Sequence, residues 1–365
     1  MKGTPARTVL ITGGAGFIGS NLTERLLAEP GTRVRVFDNF SRRGVEHNVE
    51  WLRTLRGSTR VEIVQGDVRD FNAVRQAVAD VSAIYHLAAQ VAVTTSVDDP
   101  ASDFAVNAQG TLHVLEAARL SGLRPFVLFT STNKVYGSLK SVPVEVEGSH
   151  YRATDRRFRG VNESEPLDFH SPYGCSKGAA DQYVRDYARI YDLPTVVFRM
   201  SCIAGTRQFG NEDQGWVAHF LYSALEGRPI TVYGTGYQVR DVLHVHDLID
   251  AMLAAERNAA HTTGQIYNLG GGMERAVSVI QMLREIELRT EQPLNLRYSS
   301  ARPGDQPLYV SDTRKLEGDT GWRPRHSVAE VLDAIHEFWL WSRGRVSAPK
   351  TVAFLPSDLL KQEVA

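Results

Sequence analysis

Short runs of apolar, β-branched residues alternate with amphipathic, helix-like patterns through the first half of the chain. Apolar residues three and four positions apart predict helices between the predicted strands. This alternation is typical of a parallel sheet with helices on both faces. We therefore predict an α/β fold with a doubly wound parallel sheet, whose ligand lies beyond the carboxyl ends of the strands. The predicted strands are Thr8–Thr12, Arg33–Asp38, Val61–Gln65, Ala83–Ala88, Phe126–Ser131 and Thr195–Arg199, and the predicted helices are Phe17–Ala28, Phe71–Ala79, Asp103–Ser121 and Pro172–Tyr191.

The pattern changes after Met200, where glycine-rich segments at 234–236, 270–272 and 302–304 separate the predicted helices. The apolar strand Gln265–Leu269 is expected to return to the large sheet. We predict a sheet domain of residues 1–199 plus about 239–271, a smaller C-terminal α/β substrate domain of residues 200–238 and 272–345, and a tail of residues 346–365. The predicted helices of the second half are Gly215–Glu226, Val277–Thr290 and Ser327–Arg343.

A glycine-rich run stands between the first predicted strand and the first predicted helix. Its glycines, Gly13, Gly16 and Gly19, allow a tight turn and let a pyrophosphate approach the backbone at a helix N-terminus. Asp38 ends the second strand 19 residues after Gly19, where a carboxylate accepts hydrogen bonds from a ribose and repels a 2′-phosphate. The combination predicts a Rossmann-type site that prefers NAD to NADP, although Arg42 weakens that preference. The alternative is a glycine-rich turn without a ligand.

Composition narrows the class of protein. The 365 residues include 41 basic and 42 acidic side chains, which give a formal net charge of −1. Such a balance provides no positive field for binding nucleic acid. Two cysteines, Cys175 and Cys202, are too few for a disulfide framework and favour a reducing compartment. No uncharged apolar run reaches the ~20 residues that cross a bilayer. We expect a cytoplasmic protein with no nucleic-acid or membrane partner.

A tyrosine and a lysine four residues apart open the long predicted helix at Pro172. Tyr173 and Lys177 therefore share one helical face. An ammonium near a phenol lowers the phenol pKa, otherwise ~10, so that the tyrosine can take a proton from an alcohol while hydride leaves its carbon. The third expected group is a hydroxyl at the end of the fifth strand, in Thr130–Thr132. The alternative for the pair is a solvated helix face.

These motifs resemble those of the extended short-chain dehydrogenase/reductase family over residues 8–343. Members carry Gly-x-x-Gly-x-x-Gly, a Ser/Thr-rich strand end before Val-Tyr-Gly, and Tyr-x-x-x-Lys. The resemblance implies that Thr132, four residues before Tyr136, is the catalytic hydroxyl beside Tyr173 and Lys177. It also implies bound NAD, a nucleotide-sugar substrate, and a homodimer or homotetramer that pairs the helices predicted at Asp103–Ser121 and Pro172–Tyr191.

The two residues after Thr132 narrow the reaction. Family members that eliminate water carry an Asp-Glu pair there, whereas Asn133 and Lys134 provide no evident acid to protonate a leaving hydroxyl. The resemblance is closest to the family's 2-epimerases, and it implies inversion of C2 of a CDP-linked dideoxyhexose through a 2-keto intermediate. The alternatives are a nucleotide-sugar 4-epimerase or related sugar oxidoreductase, and a catalytically silent NAD-binding protein. The segments that carry this resemblance are Ser131–Gly137, Leu167–Tyr183, Arg207–Phe209 and Asp213–Val217.

Two arginines are expected at the phosphate end of the substrate. By resemblance, Arg240 and Arg302 match a pair of diphosphate-binding arginines, whose guanidinium groups offer paired donors. His244 and His246 resemble a metal pair but lack further ligands, so we expect no metal. Trp216 either lines the sugar pocket or packs in the core.

The predicted site consists of two sets of residues around the catalytic residues Thr132, Tyr173 and Lys177, and both sets include residues placed by resemblance. Asp67, in the first set, either reaches the adenine or caps the next helix. The NAD set is Gly13, Gly16, Phe17, Ile18, Gly19, Asp38, Asn39, Ser41, Arg42, Asp67, Val68, Leu87, Ala88, Ala89, Gln90, Asn107, Thr130, Tyr173 and Lys177. The substrate set is Thr94, Asn133, Lys134, His170, Ser201, Arg207, Gln208, Gln214, Trp216, Arg240 and Arg302.

A long insertion separates Thr132 from Tyr173. The segment Ser141–Phe169 is rich in arginine and glutamate and has no regular periodicity. Long irregular insertions in compact domains are usually functional covers or disordered loops. We expect an irregular cover for the sugar site, with a plain surface loop as the alternative.

Overall fold

The computed structural model describes residues 7–302 and 304–344. The predicted tail at 346–365 lies outside the described residues. The strands are β1 Arg7–Thr12, β2 Thr32–Asp38, β3 Val61–Gln65, β4 Ala83–His86, β5 Phe126–Thr132, β6 Val144–Glu147, β7 His150–Ala153, β8 Thr195–Met200, β9 Cys202–Ala204, β10 Ile230–Tyr233, β11 Val239–His244, β12 Gln265–Leu269, β13 Ala276–Ser278, β14 Leu296–Ser299 and β15 Leu308–Tyr309.

Short helices and long ones connect these strands. Single 3₁₀ turns lie at Ser58–Arg60, Asn133–Tyr136 and Met273–Arg275, and a π-helix lies at Ala105–Gln109. The α-helices are α1 Phe17–Leu27, α2 Val45–Thr54, α3 Phe71–Val78, α4 Val93–Asp98, α5 Pro100–Phe104, α6 Gly110–Leu120, α7 Pro172–Tyr191, α8 Trp216–Leu225, α9 Val245–Arg257, α10 Ala259–Thr262, α11 Val279–Thr290, α12 Arg314–Thr320 and α13 Val328–Ser342.

The main sheet confirms the predicted fold class. Within the described residues it has seven strands in the order β12-β8-β5-β4-β1-β2-β3, and every pairing in it is parallel. The order reverses between β1 and β4, which leaves a crevice at their carboxyl ends. All seven strands had been predicted from the sequence. The fourth ends at His86 rather than Ala88, because the chain turns there and brings the Ala88 backbone against Gly13.

Alternate strand residues fill two separate cores on opposite faces of the sheet. Val9 and Ile11 of β1 join the cluster under α1 and α9, whereas Leu10 joins the cluster under α3, α6 and α7. A third cluster, centred on Leu221 of α8 and Met282 of α11, lies under the smaller sheets. These sheets contain β9, β11, β13 and β15, and the pair β10 and β14. No helix among the described residues is long and apolar enough to cross a membrane.

The helix predicted at Asp103–Ser121 is present, and the chain is helical without a break from Pro100 to Leu120. The π-helix within it is a wide turn that periodicity does not register. The Thr111 hydroxyl donates to the Asn107 carbonyl at 2.6 Å, and the Asn107 amide donates to the Gln90 carbonyl at 3.0 Å. The wide turn thus presents Asn107 to the loop after β4. Such turns are frequent at functional sites.

The insertion between β5 and α7 contains a hairpin, so the expectation of an irregular segment was wrong. Strands β6 and β7 pair antiparallel, and the hairpin is fixed to the smaller sheets. The Tyr151 amide donates to the Tyr237 carbonyl at 2.9 Å, and the Ser278 hydroxyl donates to the Ser149 carbonyl at 2.8 Å. These cross-contacts supply the apolar and polar partners that the hairpin's own sequence lacks. Its predicted role as a cover stays a prediction.

A buried ion pair ties α7 to the sheet. The guanidinium of Arg199 on β8 donates to both carboxylate oxygens of Asp181 on α7, at 2.7 and 2.9 Å, and to the Tyr136 hydroxyl at 2.9 Å. Both charged side chains are almost fully buried. A buried pair of this geometry is costly to break because the remaining charge has no solvent.

We expect Arg199→Leu to lower the free energy of unfolding by about 3–5 kcal/mol, because it leaves the Asp181 carboxylate buried and unpaired. Urea denaturation followed by circular dichroism measures this loss. The double variant Arg199→Leu/Asp181→Leu removes both charges and should recover part of it. Equal stability of wild type and Arg199→Leu would contradict this account of the pair.

Candidate active site

The glycine-rich turn forms a close contact between β1, β2 and the loop after β4. The Gly13 amide donates to the Phe37 carbonyl at 2.8 Å, and Gly13 has a φ of +68°. A Cβ on Gly13 would lie 2.7 Å from the Ala88 nitrogen, so only glycine fits. The N-cap of α1 is Gly16, which has no capping side chain. The first amides of α1 are therefore left for a phosphate, as a dinucleotide requires.

Asp38 lies at the end of β2 beside this turn. One carboxylate oxygen accepts the Ala15 amide at 3.0 Å and the other accepts the Phe40 amide at 2.9 Å. Burial raises the pKa of Asp38, while these bonds and the charge of Arg42 oppose that increase. Each oxygen keeps a further lone pair for a ribose hydroxyl. The geometry fits the predicted role of Asp38.

Asp67 lies next to Asn39 and not at a helix cap. Its carboxylate accepts the Asn39 amide at 2.9 Å and two donors of the Arg69 side chain at 2.9 and 2.8 Å. The Arg69 bonds hold the pKa of Asp67 well below its usual range. The capping alternative was wrong, because Asp70 caps α3. Ser41, also predicted at this edge, donates its amide to the Asn39 side chain at 3.1 Å.

The loop after β4 is fixed by Asn107. Gln90 donates its amide to the Asn107 side chain at 2.9 Å, and Thr130 donates its hydroxyl to the His86 carbonyl at 3.3 Å. Val68 is buried against Gly110, where a Cβ would come within 2.7 Å of its side chain. The predicted cofactor residues of this edge, Val68, Leu87, Ala88, Ala89, Gln90, Asn107 and Thr130, therefore lie around one crevice, together with Phe17, Ile18 and Gly19 of α1.

The structure brings the three predicted catalytic residues together at the carboxyl end of β5. Thr132 ends β5 and accepts the Lys134 amide at 3.2 Å. Ser171 caps α7, so Tyr173 and Lys177 lie in its first two turns. Burial raises the pKa of Tyr173 to about 12, and the charge of Asp103 adds to this increase, while Thr132 and the charge of Arg42 oppose it. Thr132 therefore lies close enough to the Tyr173 phenol to affect its pKa.

Lys177 is a buried cation without a direct ion pair among the described residues. Its ammonium lies 4.1 Å from the centre of the Phe129 ring. Burial lowers the pKa of Lys177 to about 7, and the carboxylates of Asp181 and Asp103 oppose this decrease. Arg199 already forms an ion pair with Asp181. Asp103 is therefore the carboxylate left to balance the charge of Lys177.

Sequence reasoning missed Asp103 as a site residue. It is fully buried on α5, where its carboxylate accepts a short hydrogen bond from the Ser176 hydroxyl and one from the Asn107 amide at 3.0 Å. Ser96 on α4 was missed as well, and its hydroxyl accepts the Tyr173 amide at 3.2 Å. The one sequence signal that could have indicated Asp103 is its position, four residues before the predicted site residue Asn107.

A cationic cluster lies beyond Thr132. The Asp305 carboxylate forms ion pairs with the Arg240 guanidinium, at 2.6 Å, and with the Lys134 ammonium, at 3.5 Å. Burial, with the charges of Arg240 and Arg302, lowers the pKa of Lys134 to about 8, while Asp305 opposes the decrease. The Arg302 guanidinium stacks 4.1 Å from the centre of the Tyr233 ring. Asp305 and Tyr233 were not predicted as site residues, although Asp305 ends the short segment from which Arg302 was predicted.

The other predicted substrate residues occupy varied positions. Asn133 donates its amide to Gln306 at 3.2 Å, and His170 bonds Asp168 at 2.7 Å. Ser201 donates its hydroxyl to the buried Asp241 carboxylate in a short hydrogen bond. Trp216 packs edge-on against Phe220 with ring centres 5.5 Å apart. Thr94 is exposed on α4.

Arg207, Gln208 and Gln214 lie elsewhere: all three line a cavity beside α2 and the end of α13. The Arg207 guanidinium lies 3.2 Å from the centre of the Trp51 ring, and Gln208 donates to the Ile203 carbonyl at 3.1 Å. None of the residues in the Asp305 cluster lines this cavity.

Three histidines cluster at the start of α9. Possible ligand atoms of His244, His246 and His326 lie within 4.8 Å of one another. The His246 amide donates to Nδ1 of His244 at 3.1 Å, which places the proton of the neutral ring on Nε2. A metal at Nε2 would have to displace that proton. The expectation of no metal stays a prediction, and this hydrogen bond supports it.

Comparisons with known proteins identify similar sequences over nearly the whole chain. A family model described as GDP-mannose 4,6 dehydratase matches residues 10–335. A CDP-paratose 2-epimerase from Salmonella typhi is 40% identical over 337 residues, covering 90% of this chain and 98% of the relative. A UDP-glucose 4-epimerase from Mycolicibacterium smegmatis is 33% identical over 331 residues, covering 90% and 97%.

A solved structure extends the likeness to three dimensions. The UDP-glucuronic acid 4-epimerase from Bacillus cereus, in complex with UDP-glucuronic acid and NAD, matches with a TM-score of 0.78 and 25% sequence identity. The match covers 91% of this chain and 98% of that chain. The two folds therefore agree throughout both parts of the molecule.

We expect Asp103→Asn to lower the pKa of Lys177, because it removes a carboxylate that stabilises the ammonium. The groups facing that ammonium, His86, Phe129 and Asp181, remain in place. Titration of ¹⁵N-labelled lysine by NMR should show Lys177 losing its proton at lower pH than in wild type. Asp103→Glu keeps the charge and serves as the control. An unchanged Lys177 titration in Asp103→Asn would refute this role.

Proposed function

The chain belongs to the GDP-mannose 4,6 dehydratase family and is an NAD-dependent nucleotide-sugar epimerase, and from this premise we propose that it inverts C2 of a CDP-linked 3,6-dideoxyhexose, as in the conversion of CDP-paratose to CDP-tyvelose. The observation that carries the proposal is the pair Asn133 and Lys134 directly after Thr132. It stands where a water-eliminating enzyme needs an acid, and it occurs together with 40% identity to a CDP-paratose 2-epimerase.

The three catalytic side chains can move one proton at the sugar hydroxyl. Tyr173, as phenolate, takes the proton of the C2 hydroxyl and returns it after the sugar has turned over. Thr132 bonds the same oxygen and keeps it near the phenol. Lys177 stabilises the phenolate and holds the nicotinamide ribose. Bound NAD supplies the reversible hydride acceptor for C2.

The ordinary pKa of a buried tyrosine is too high for this work, and the site contains the means to lower it. Burial raises the pKa of Tyr173 to about 12. A cationic nicotinamide and a protonated Lys177 both favour the phenolate. The Asp103 carboxylate opposes the decrease that burial causes in the pKa of Lys177, although it also raises the pKa of Tyr173, so it acts on the site through its charge and not by touching substrate.

The phosphate end supports a nucleoside diphosphate. Lys134 and Arg240 both form ion pairs with Asp305, and Arg302 lies close enough to affect the pKa of Lys134. A diphosphate offers these cations stronger, bidentate acceptors than one carboxylate. Lys134 therefore serves the phosphate, since its ammonium is directed towards Asp305. This arrangement favours epimerisation over elimination.

A 4-epimerase is the second candidate function. The relative from Mycolicibacterium smegmatis is named a UDP-glucose 4-epimerase, and the Thr132–Tyr173–Lys177 arrangement does not itself select the carbon. Which carbon faces the nicotinamide depends on how the sugar is seated, and the nucleotide depends on contacts around Tyr233 and Trp216.

Self-association through α6 and α7 is also part of the proposal. These helices expose Leu120, Tyr183, Ile190 and Tyr191, each at least 46% accessible. Apolar and aromatic side chains grouped on two neighbouring helices suit an isologous helix-pair interface. We place the enzyme in the cytoplasm as a homodimer or homotetramer of this kind.

A panel of nucleotide sugars tests the substrate directly. We expect the purified protein to carry NAD and to interconvert CDP-paratose and CDP-tyvelose, seen by ¹H NMR as a change in the C2 coupling constants. UDP-glucose should show no change at C4. Turnover of UDP-glucose at C4 without turnover at C2 of the CDP-sugar would replace the proposal with its alternative.

Tyr173→Phe should reduce kcat by about 10²–10⁴-fold, because it removes the group that moves the proton. Bound NAD, released by denaturation and measured by absorbance, should stay at the wild-type level. Tyr298→Phe is the matched control, since Tyr298 is 63% exposed and lies outside the proposed site and interface. Wild-type turnover in Tyr173→Phe would remove Tyr173 as the base.

A further inference from the structure

A second cavity lies outside the catalytic crevice. It has a volume of about 1100 Å³ and opens between α2, the loop after β9, α8 and the end of α13. Aromatic rings form much of its wall, and five arginines face three glutamates, a formal excess of two positive charges. The charged residues are Arg42, Arg43, Arg207, Arg228 and Arg343, with Glu46, Glu50 and Glu226.

Arg207 occupies the wall of this cavity in an unusual way. It is only 5% exposed, and its φ of +64° places a non-glycine residue in the left-handed region. Its guanidinium lies 3.2 Å from the centre of the Trp51 ring, 4.9 Å from that of Trp341 and 5.7 Å from that of Phe338. The three rings pack around the guanidinium and restrict its orientation.

No side-chain or backbone acceptor among residues 7–302 and 304–344 bonds the Arg207 guanidinium, and its partners there are the three rings. Burial lowers the pKa of Arg207 to about 9, opposed by the charge of Glu24. Arg207 lines the cavity, and none of its nitrogen atoms is fully buried without a partner, so its N–H groups are open to an acceptor that enters the cavity. Neighbouring Arg228 and Arg343 differ, because both pair with Glu226.

We propose that this cavity is a second anion-binding site, in which Arg207 binds the phosphate of a small phosphorylated molecule. A planar guanidinium held at fixed orientation matches two phosphate oxygens at once. The positive excess of the wall matches a phosphate dianion better than a single carboxylate. The volume accommodates a ligand of nucleotide size.

The proposed site is separate from the substrate's phosphate site. Lys134, Arg240, Arg302 and Asp305 do not line the cavity. Gly16 and Phe17 do, so the occupant lies beside the turn that begins α1. The cavity thus shares Gly16, Phe17 and Arg42 with the predicted NAD residues, whereas its Arg207 is not one of the cations proposed to hold the diphosphate of the nucleotide sugar.

Calorimetric titration of inorganic phosphate into NAD-loaded protein saturated with CDP tests the proposal. CDP fills the substrate's phosphate site, so any remaining heat reports the second one. Wild type should bind phosphate, and Arg207→Gln should bind it about tenfold more weakly or not at all. Arg323→Gln is the matched control, since Arg323 is an exposed arginine outside the cavity. Acetate in place of phosphate should bind more weakly.

Arg207→Lys covers the case in which Arg207→Gln does not fold. It keeps the charge and loses the planar fork, so its phosphate affinity should also fall while its bound NAD stays at the wild-type level. Absence of phosphate binding by CDP-saturated wild type would overturn the proposal. So would wild-type affinity in the folded Arg207 variant, or tighter binding of acetate than of phosphate.

Discussion

The buried ammonium of Lys177 is the constraint around which the active site is built. A lysine that is 2% exposed must be balanced within the protein, because burial favours its neutral form. Two carboxylates supply the balance. Asp181 is fixed between α7 and β8 by Arg199, and Asp103 is fixed by Ser176 and Asn107. The catalytic helix is therefore attached to the sheet and to α5 by the same carboxylates that oppose the decrease in the pKa of Lys177.

The same network explains the irregular backbone nearby. Asn107 has to bond the loop after β4 and the Asp103 carboxylate together, and the π-helix places its side chain between them. The loop after β4 in turn lies against Gly13. The Asn107 side chain thus links the buried charges near Tyr173 to the loop after β4, along which the cofactor is proposed to lie.

Much of the sheet and the cofactor turn could be predicted from sequence because both are local. Short runs of apolar residues identified the seven strands. Gly13, Gly16 and Asp38 lie within one β-α-β unit. The residues that were missed act across the chain. Asp103 forms a hydrogen bond with Ser176, and Asp305 forms an ion pair with Lys134. Both pairs are far apart in sequence, and periodicity does not reveal such contacts. Arg207 was predicted from a matched segment, and only the packed rings of α2 and α13 reveal its surroundings.

The central claim is that the epimerase inverts its sugar carbon by internal oxidation and reduction, with the Tyr173 network moving only the hydroxyl proton. Epimerisation of CDP-paratose in D₂O, followed by ¹H NMR and mass spectrometry, tests it most directly. The account predicts product with hydrogen retained at C2, because the hydride never exchanges with solvent. Deuterium at C2 of the product would contradict it and indicate direct deprotonation of the carbon.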